Sequence, residues 1–197
     1  MSNGVLVVLT LSLILFAAFG NASAAPSDSV RPAEWSRQDM IIKLQSLPKR
    51  YSCNDLWYRF RDILIDIGAR PNMNILTYRC EGALGPNARS PRVHLTFDIP
   101  RAVRGEQSGT SALQVTATTV HLAAGQPRSL DGADCALLRQ IKDTLFAALS
   151  VRVVDFNLDC AASNDEHHPF GVSVRALLPA PGEPHLAISP IVLQPFS

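Results

Sequence analysis

The sequence lacks a strong net charge, because 18 lysines and arginines nearly balance 17 aspartates and glutamates and leave a formal charge of +1. Nucleic-acid-binding domains usually carry a clear basic excess, so this balance argues against a nucleic-acid partner. The chain also lacks a later apolar run: after residue 24 no stretch reaches the ~20 apolar residues that a membrane-spanning helix needs. We therefore expect no transmembrane segment in the mature protein.

Catalytic and cofactor motifs are missing as well. The chain contains no G-x-S-x-G, H-E-x-x-H, G-x-x-x-x-G-K-[ST] or G-x-G-x-x-G sequence. Serine-hydrolase, zinc-protease, P-loop and dinucleotide chemistry therefore gain no support from local sequence. We expect the protein not to be an enzyme and to hold no cofactor, although a catalytic triad assembled only in space leaves no trace in a sequence.

What the chain does contain begins with an export signal. Residues 5–19 are almost wholly apolar, and the small-x-small sequence Ala22-Ser23-Ala24 follows them. This length and this ending are typical of a secretory signal peptide. No lysine or arginine precedes the apolar core, and a retained N-terminal anchor is the alternative. We expect residues 1–24 to be cleaved and the protein to be exported to the periplasm or the extracellular space.

Two segments have the apolar periodicity of amphipathic helices. The first stripe consists of Leu56, Phe60, Ile63, Leu64 and Ile67, and the second of Leu138, Ile141, Leu145, Ala148 and Leu149. Ser52 and Asp55 have capping-box spacing before the first stripe, and Gly68 follows it as a stop signal. Each predicted helix has one apolar face that must be buried against another element.

Alternating residues predict the strands. Four sets share a strand face: Leu76, Tyr78 and Cys80; Val93, Leu95, Phe97 and Ile99; Phe156, Leu158 and Cys160; and Phe170, Val172, Val174 and Ala176. Residues 115–122 read as a further strand, and residues 40–44 as a short strand. The face that carries Leu76 and Tyr78 is predicted to point toward the first helix.

The order strand, helix, strand, strand occurs twice, and aligning Cys53 with Cys135 and Cys80 with Cys160 brings the two copies into register. The sequence therefore predicts an α+β fold: an antiparallel sheet with two helices on one face, built from duplicated βαββ units. The predicted segments are a disordered lead-in at 25–38, the first unit at 39–104, the second unit at 112–180, and an edge strand or tail at 184–197.

Helix and strand lengths select the cysteine pairing. The helix predicted over residues 54–67 rises about 21 Å, and the strand over residues 74–80 returns about 23 Å. An antiparallel helix and strand of these lengths bring Cys80 back beside Cys53, and the second unit repeats the spacing. We therefore predict the disulfides Cys53–Cys80 and Cys135–Cys160, which an oxidising compartment would allow to form.

The candidate surface sites are weak. His94 and His121 fall on the polar side of their strands, where they could lie together near Arg175 and a carboxylate. His167 and His168 adjoin two acidic residues in a polar loop, the one local cluster with metal-ligand chemistry. Because adjacent histidines rarely converge on one ion without a third fixed ligand, we predict an ordinary solvated loop and no metal site.

These observations favour an exported, non-catalytic module that binds a protein or another envelope component, without indicating which one. The alternative is a small exported hydrolase or metal-dependent enzyme with a spatially assembled site. Charge is distributed unevenly along the chain, with a net +5 over residues 26–105 and −4 over residues 106–197. We expect the positive part to pack against the negative part within one molecule.

Overall fold

The computed structural model describes residues 30–45, 47–80, 90–103, 113–160 and 170–180. The elements in these ranges are β1 (Arg31–Lys43), α1 (Cys53–Asp66), β2 (Asn74–Tyr78), β3 (Arg92–Ala102), β4 (Leu113–Ala123), α2 (Cys135–Ile141), β5 (Arg152–Asn157) and β6 (Gly171–Pro179). A 3-10 turn, Gly132–Asp134, precedes α2, and a π-helical turn, Lys142–Phe146, continues it. We call β1–β3 with α1 the first half, and β4–β6 with α2 the second half.

The six strands form one antiparallel sheet in the order β2-β3-β1-β4-β6-β5. β1 pairs with β3 from Ala33, opposite Ala102, to Lys43, opposite Arg92. It pairs with β4 only over residues 31–33, opposite residues 113–115. The two halves therefore join at the first residues of β1 and β4, and these strands run away from the junction in opposite directions.

Local sequence explains where α1 begins and ends. The Ser52 hydroxyl accepts a hydrogen bond from the backbone N–H of Asp55, and the Asp55 carboxylate accepts one from the N–H of Ser52. Gly68 ends the helix with a backbone φ of 96°, a conformation that residues other than glycine rarely adopt. The predicted first helix and its capping box are therefore present.

Both helices pack on one side of the sheet. A single buried cluster joins helix residues to alternate strand residues, and alternate strand positions share a face. Its helical members include Leu56, Phe60, Ile63, Leu64, Leu138, Ile141, Leu145 and Phe146, and its strand members include Ile42, Ile75, Val93, Leu95, Leu122, Val172 and Val174. The predicted antiparallel sheet and its two helices are confirmed.

The two predicted disulfides are present. Cys53 is bonded to Cys80 with a Cα–Cα distance of 5.1 Å, and Cys135 to Cys160 with 5.5 Å. Each bond ties the start of a helix to the chain that leaves the following edge strand. In the chain-entropy description, cross-links that close loops of this size stabilise a fold by roughly 3–4 kcal/mol each.

The first strand is longer than the sequence indicates. β1 begins at Arg31, so residues 31–38, which we expected to form part of a disordered lead-in, are strand. Apolar alternation in this segment is limited to Ala33 and Trp35, which pack with Leu113, Val115 and Leu177 in a small second cluster. Backbone pairing with β3 and β4 holds the rest of the segment.

The predicted face of β2 is wrong. Ile75 is buried against the helices, whereas Leu76 and Tyr78 are exposed on the opposite side of the sheet. The reason is Arg79, whose φ of 57° breaks the alternation and turns Cys80 back into the core. The disulfide forms through this left-handed residue and not through a straight strand.

Within the described ranges, no helix has the length and apolar character to cross a bilayer. The predicted signal peptide at 1–24 and the predicted edge strand or tail at 184–197 lie outside the described residues.

Candidate functional site

The side of the sheet opposite the helices carries the most distinctive surface of the described chain, and we call it the open face. In the first half, three strands align their open-face residues in rows. One row is Leu76, His94 and Ile41, the next is Tyr78, Arg92 and Lys43, and the third is Asn74, Thr96 and Asp39. Neighbouring side chains in such rows are about 5 Å apart, close enough to act as one surface.

An apolar patch lies across these rows. Ile41 is 60% exposed, Leu76 is 42% exposed and Tyr78 is 47% exposed, and they surround His94. We call these four residues the Tyr78 patch. Half-exposed apolar side chains that adjoin one another, rather than lying singly, mark surfaces that contact another molecule.

Three cations border the Tyr78 patch. Lys43 and Arg92 form a row with Tyr78, and Arg79 follows Tyr78 at the end of β2. None of the three has an ion-pair partner in the part of the chain that the structure describes. This edge of the face therefore presents positive charge to solvent.

The other edge of the patch is hydrogen-bonded. The Asp39 carboxylate lies 3.0 Å from His94 Nε2 and accepts a hydrogen bond of 3.0 Å from the Thr96 hydroxyl. The hydrogen bond with His94, followed by that from Thr96, holds the pKa of Asp39 below its ordinary value. An ionised Asp39 fixes the ring of His94 in the centre of the patch.

His121 lies in the other half and does not join His94. The pairing places His94 near the far end of β1 and His121 near the far end of β4, on opposite sides of the junction. The two histidines, which the sequence allowed to lie together, are therefore apart, because β1 and β4 diverge from the short ladder that joins them.

His121 instead contacts Ser173. Its Nδ1 lies 3.1 Å from the Ser173 hydroxyl, and its ring fits over Gly171, where an added Cβ would lie 2.9 Å from the ring. Asp155 occupies the open face on the far side of Ser173, and Arg175 faces Thr119 in the next row. The order in the row is histidine, serine, aspartate, whereas a hydrolase triad needs the histidine between the other two.

A partly buried ionic network connects the two halves on the helix side. Asp134 is fully buried and accepts hydrogen bonds from the Tyr51 hydroxyl at 2.8 Å and from Arg59 Nε at 2.7 Å. Asp131 accepts from Arg59 at 2.9 Å and forms an ion pair with Lys49. We call these five residues the central network.

The central network is arranged to hold charge rather than to transfer protons. Burial, and then the neighbouring Asp134 carboxylate, raise the pKa of Tyr51 far above its ordinary value. The pKa of Asp131 is lowered despite its partial burial, because Lys49, the backbone of Ala133 and Arg59 all stabilise its charged form. Since Tyr51, Arg59 and Asp134 are buried, no substrate reaches them, and the network braces one half against the other.

A shallow cleft of about 430 Å³ lies between α2 and β5. Its charged groups are already engaged: Arg139 donates to the carbonyl of Leu158, and Lys142 pairs with Asp143 while lying 4.9 Å from the centre of the Phe156 ring. Arg139, Lys142 and Asp143 therefore make internal contacts and are not held ready for a ligand.

The predictions on metal binding fall partly outside the structure. His167 and His168 lie outside the described residues. Across the described ranges, no group of three histidine, cysteine, aspartate or glutamate side chains is placed to hold a metal ion.

Comparisons with protein-family models, curated proteins and solved structures find no match to this chain.

Two features of the site were not visible to sequence reasoning. The central network joins residues far apart in the chain, such as Tyr51 and Asp134, and no sequence motif predicts that they are in contact. The three-residue spacing of Asp131 and Asp134 before a helix and the opposite charges of the two parts of the chain were the available signals. The Tyr78 patch was missed because Leu76 and Tyr78 were assigned to the buried face.

Proposed function

We propose that the chain is an exported, non-catalytic module that binds a protein partner through the open face of its first half. The observation that carries this proposal is the Tyr78 patch, in which Ile41, Leu76 and Tyr78 are exposed side by side around His94. A shallow surface that combines tyrosine, aliphatic side chains and arginine has the composition of a protein interface core.

The geometry of the open face favours binding over catalysis. His94 and its carboxylate partner Asp39 lie on an exposed strand surface, whereas acid–base catalysis works best in an enclosed site. His121 and Ser173 are in contact, but Asp155 lies beyond the serine and not behind the histidine. The hydrolase alternative therefore has less support than a docking surface.

Export is supported by the apolar segment 5–19 and by the two disulfides. Disulfides persist in oxidising compartments, and a protein of this size in the cytosol would keep its cysteines reduced. We place the protein in the periplasm or outside the cell.

We also infer that the two halves descend from one βαββ unit. A constant spacing of 82 residues relates Cys53 to Cys135, Leu64 to Phe146, and Gly68 to Ser150. Gly68 and Ser150 both have positive φ, and each is followed by a backbone N–H that closes the helix on the aligned residue, Leu64 or Phe146. The strand order of the second half, β4-β6-β5, repeats that of the first, β1-β3-β2.

Position-specific photo-crosslinking tests the proposed docking surface. A photoreactive phenylalanine analogue is placed at position 76, inside the Tyr78 patch, or at position 58, an exposed site on α1. The purified variants are irradiated in envelope extract, and we expect a discrete protein adduct at position 76 only. Equal adducts at both positions, or none at position 76 in extract from the native host, would contradict the proposal.

A further inference from the structure

We infer that the partner presents an acidic, extended segment whose apolar side chains cover the Tyr78 patch and whose carboxylates reach Lys43, Arg79 and Arg92. This inference rests on the proposed docking surface and adds the chemistry of what docks there.

Charge complementarity is the first argument. Lys43, Arg79 and Arg92 lie beside Tyr78 without ion-pair partners in the described ranges. The nearest carboxylate of this face, Asp39, is engaged by His94 and Thr96. An incoming carboxylate would therefore meet three available cations, and interfaces that bring opposite charges together gain association rate and specificity.

The second argument is the spacing of the rows. Along β2 the open-face residues Asn74, Leu76 and Tyr78 recur every second residue, which corresponds to about 6.8 Å. An extended peptide has the same repeat, so that alternate side chains of one segment would meet Tyr78 and Leu76 in turn. The intervening side chains would point either away from the protein or toward the row that contains Arg92 and Lys43. In the second position acidic residues are favoured.

A membrane surface fits the same face less well. Ile41 and Leu76 stand on a pleated strand surface with the polar cluster Asp39, His94 and Thr96 between and beside them. Immersing the two aliphatic side chains in lipid would also bury this cluster, and desolvating a carboxylate is costly. A protein segment can leave Asp39 in water while it covers Leu76 and Tyr78.

Fluorescence anisotropy with three probes tests the inference. The first probe is a labelled peptide that alternates glutamate with leucine or tyrosine, the second replaces each glutamate by lysine, and the third is a vesicle of anionic phosphatidylglycerol. We expect the purified protein to bind the acidic peptide and to lose affinity as the salt concentration rises toward ~0.3 M. The basic peptide should not bind.

Charge-reversal variants locate the contact. Arg79→Glu combined with Arg92→Glu should weaken binding of the acidic peptide by about tenfold or more, the equivalent of ~1.4 kcal/mol. Arg128→Glu combined with Arg152→Glu, two exposed changes in the other half, is the charge-matched control and should leave the affinity unchanged. Circular dichroism of each variant establishes that the fold is retained.

Several outcomes would overturn the inference: equal binding of the basic peptide, binding of the vesicles but not of the acidic peptide, or peptide binding that ignores the change at Arg79 and Arg92. The proposed docking surface is judged separately. A crosslink at position 76 without acidic-peptide binding would retain the surface and reject the acidic chemistry, whereas loss of the crosslink would reject both.

Discussion

At the scale of single residues, Asp134 is the side chain on which the two halves converge. It belongs to the second half, yet it accepts hydrogen bonds from Tyr51 and Arg59 of the first half, and Lys49 lies 3.6 Å away. A fully buried carboxylate is tolerated only when donors surround it, and removing it leaves those donors unsatisfied. Lys49 and Arg59 belong to the positively charged part of the chain, and Asp131 and Asp134 to the negatively charged part, so that these contacts join the two.

We predict that Asp134→Ala lowers the free energy of unfolding by about 3–5 kcal/mol, because Arg59 is left as a buried charge without its closest partner. Urea unfolding measures the change. Asp143→Ala removes an exposed carboxylate that pairs with its neighbour Lys142, and it should cost less than about 1 kcal/mol. Equal losses for the two variants would refute the bracing role of Asp134.

Tyr51 gives the molecule a sensitivity to alkaline pH. Its pKa is raised in the folded state, whereas an unfolded tyrosine ionises near ~10. The unfolded chain therefore releases this proton first, and stability falls as the pH rises above ~10, by up to about 1.4 kcal/mol per pH unit. Tyr51→Phe should remove this part of the dependence in unfolding measured at pH ~8 and ~10.5, whereas Tyr78→Phe, on the exposed face, should keep it.

At the scale of elements, some of the fold can be predicted because the information is local. Ser52 and Asp55 start α1, Gly68 ends it, and the alternation of Val93, Leu95 and Phe97 identifies β3 and its buried face. The disulfide pairing follows from helix and strand lengths. Caps, stop signals and alternation depend on neighbours in sequence, which is why patterns in the sequence reveal them. The disulfides join residues 27 and 25 positions apart, and the lengths of the intervening elements indicate them.

Other elements could not be predicted, since their causes are not local. The first residues of β1 become strand through pairing with β3 and β4. The sequence locates these two strands along the chain but does not indicate that they lie on either side of β1 in the sheet. The exposed face of β2 depends on one left-handed residue, Arg79, which is not a residue type that favours that conformation. The Tyr78 patch could not be predicted for the same reason, because recognising it requires knowing that Leu76 and Tyr78 point away from the helices.

The end of α1 offers a prediction at this scale. An added Cβ at Gly68 would lie 2.4 Å from the carbonyl oxygen of Leu177 in β6, and the φ of Gly68 is 96°. Gly68→Ala should therefore destabilise the protein by more than about 2 kcal/mol, through backbone strain and the clash together. Gly125→Ala separates the two effects, because Gly125 also has positive φ but open space around it, and it should cost only about 1 kcal/mol. Thermal and urea unfolding that rank the two variants in the opposite order would contradict this close approach.

At the scale of the whole molecule, the two sides of the sheet differ in what they bury and what they expose. The helix side contains the main buried cluster, the disulfides and the central network, which together tie the halves into one body. The open face of the first half carries exposed apolar residues and cations without partners in the described chain. Most buried contacts thus lie on the helix side, with a smaller buried cluster of Ala33, Leu113 and Val115 at the junction of the halves, and the exposed Tyr78 patch is the surface that we propose for binding.

This division predicts that side chains of the Tyr78 patch can be removed without unfolding the protein. The most direct measurement is the affinity for the partner recovered by crosslinking at position 76, determined together with the free energy of unfolding for the same samples. For Leu76→Ser combined with Tyr78→Ser, we predict that binding falls by at least about tenfold while stability changes by less than about 1 kcal/mol. Unchanged affinity, or a loss of stability as large as that of Asp134→Ala, would contradict the assignment of this face to binding.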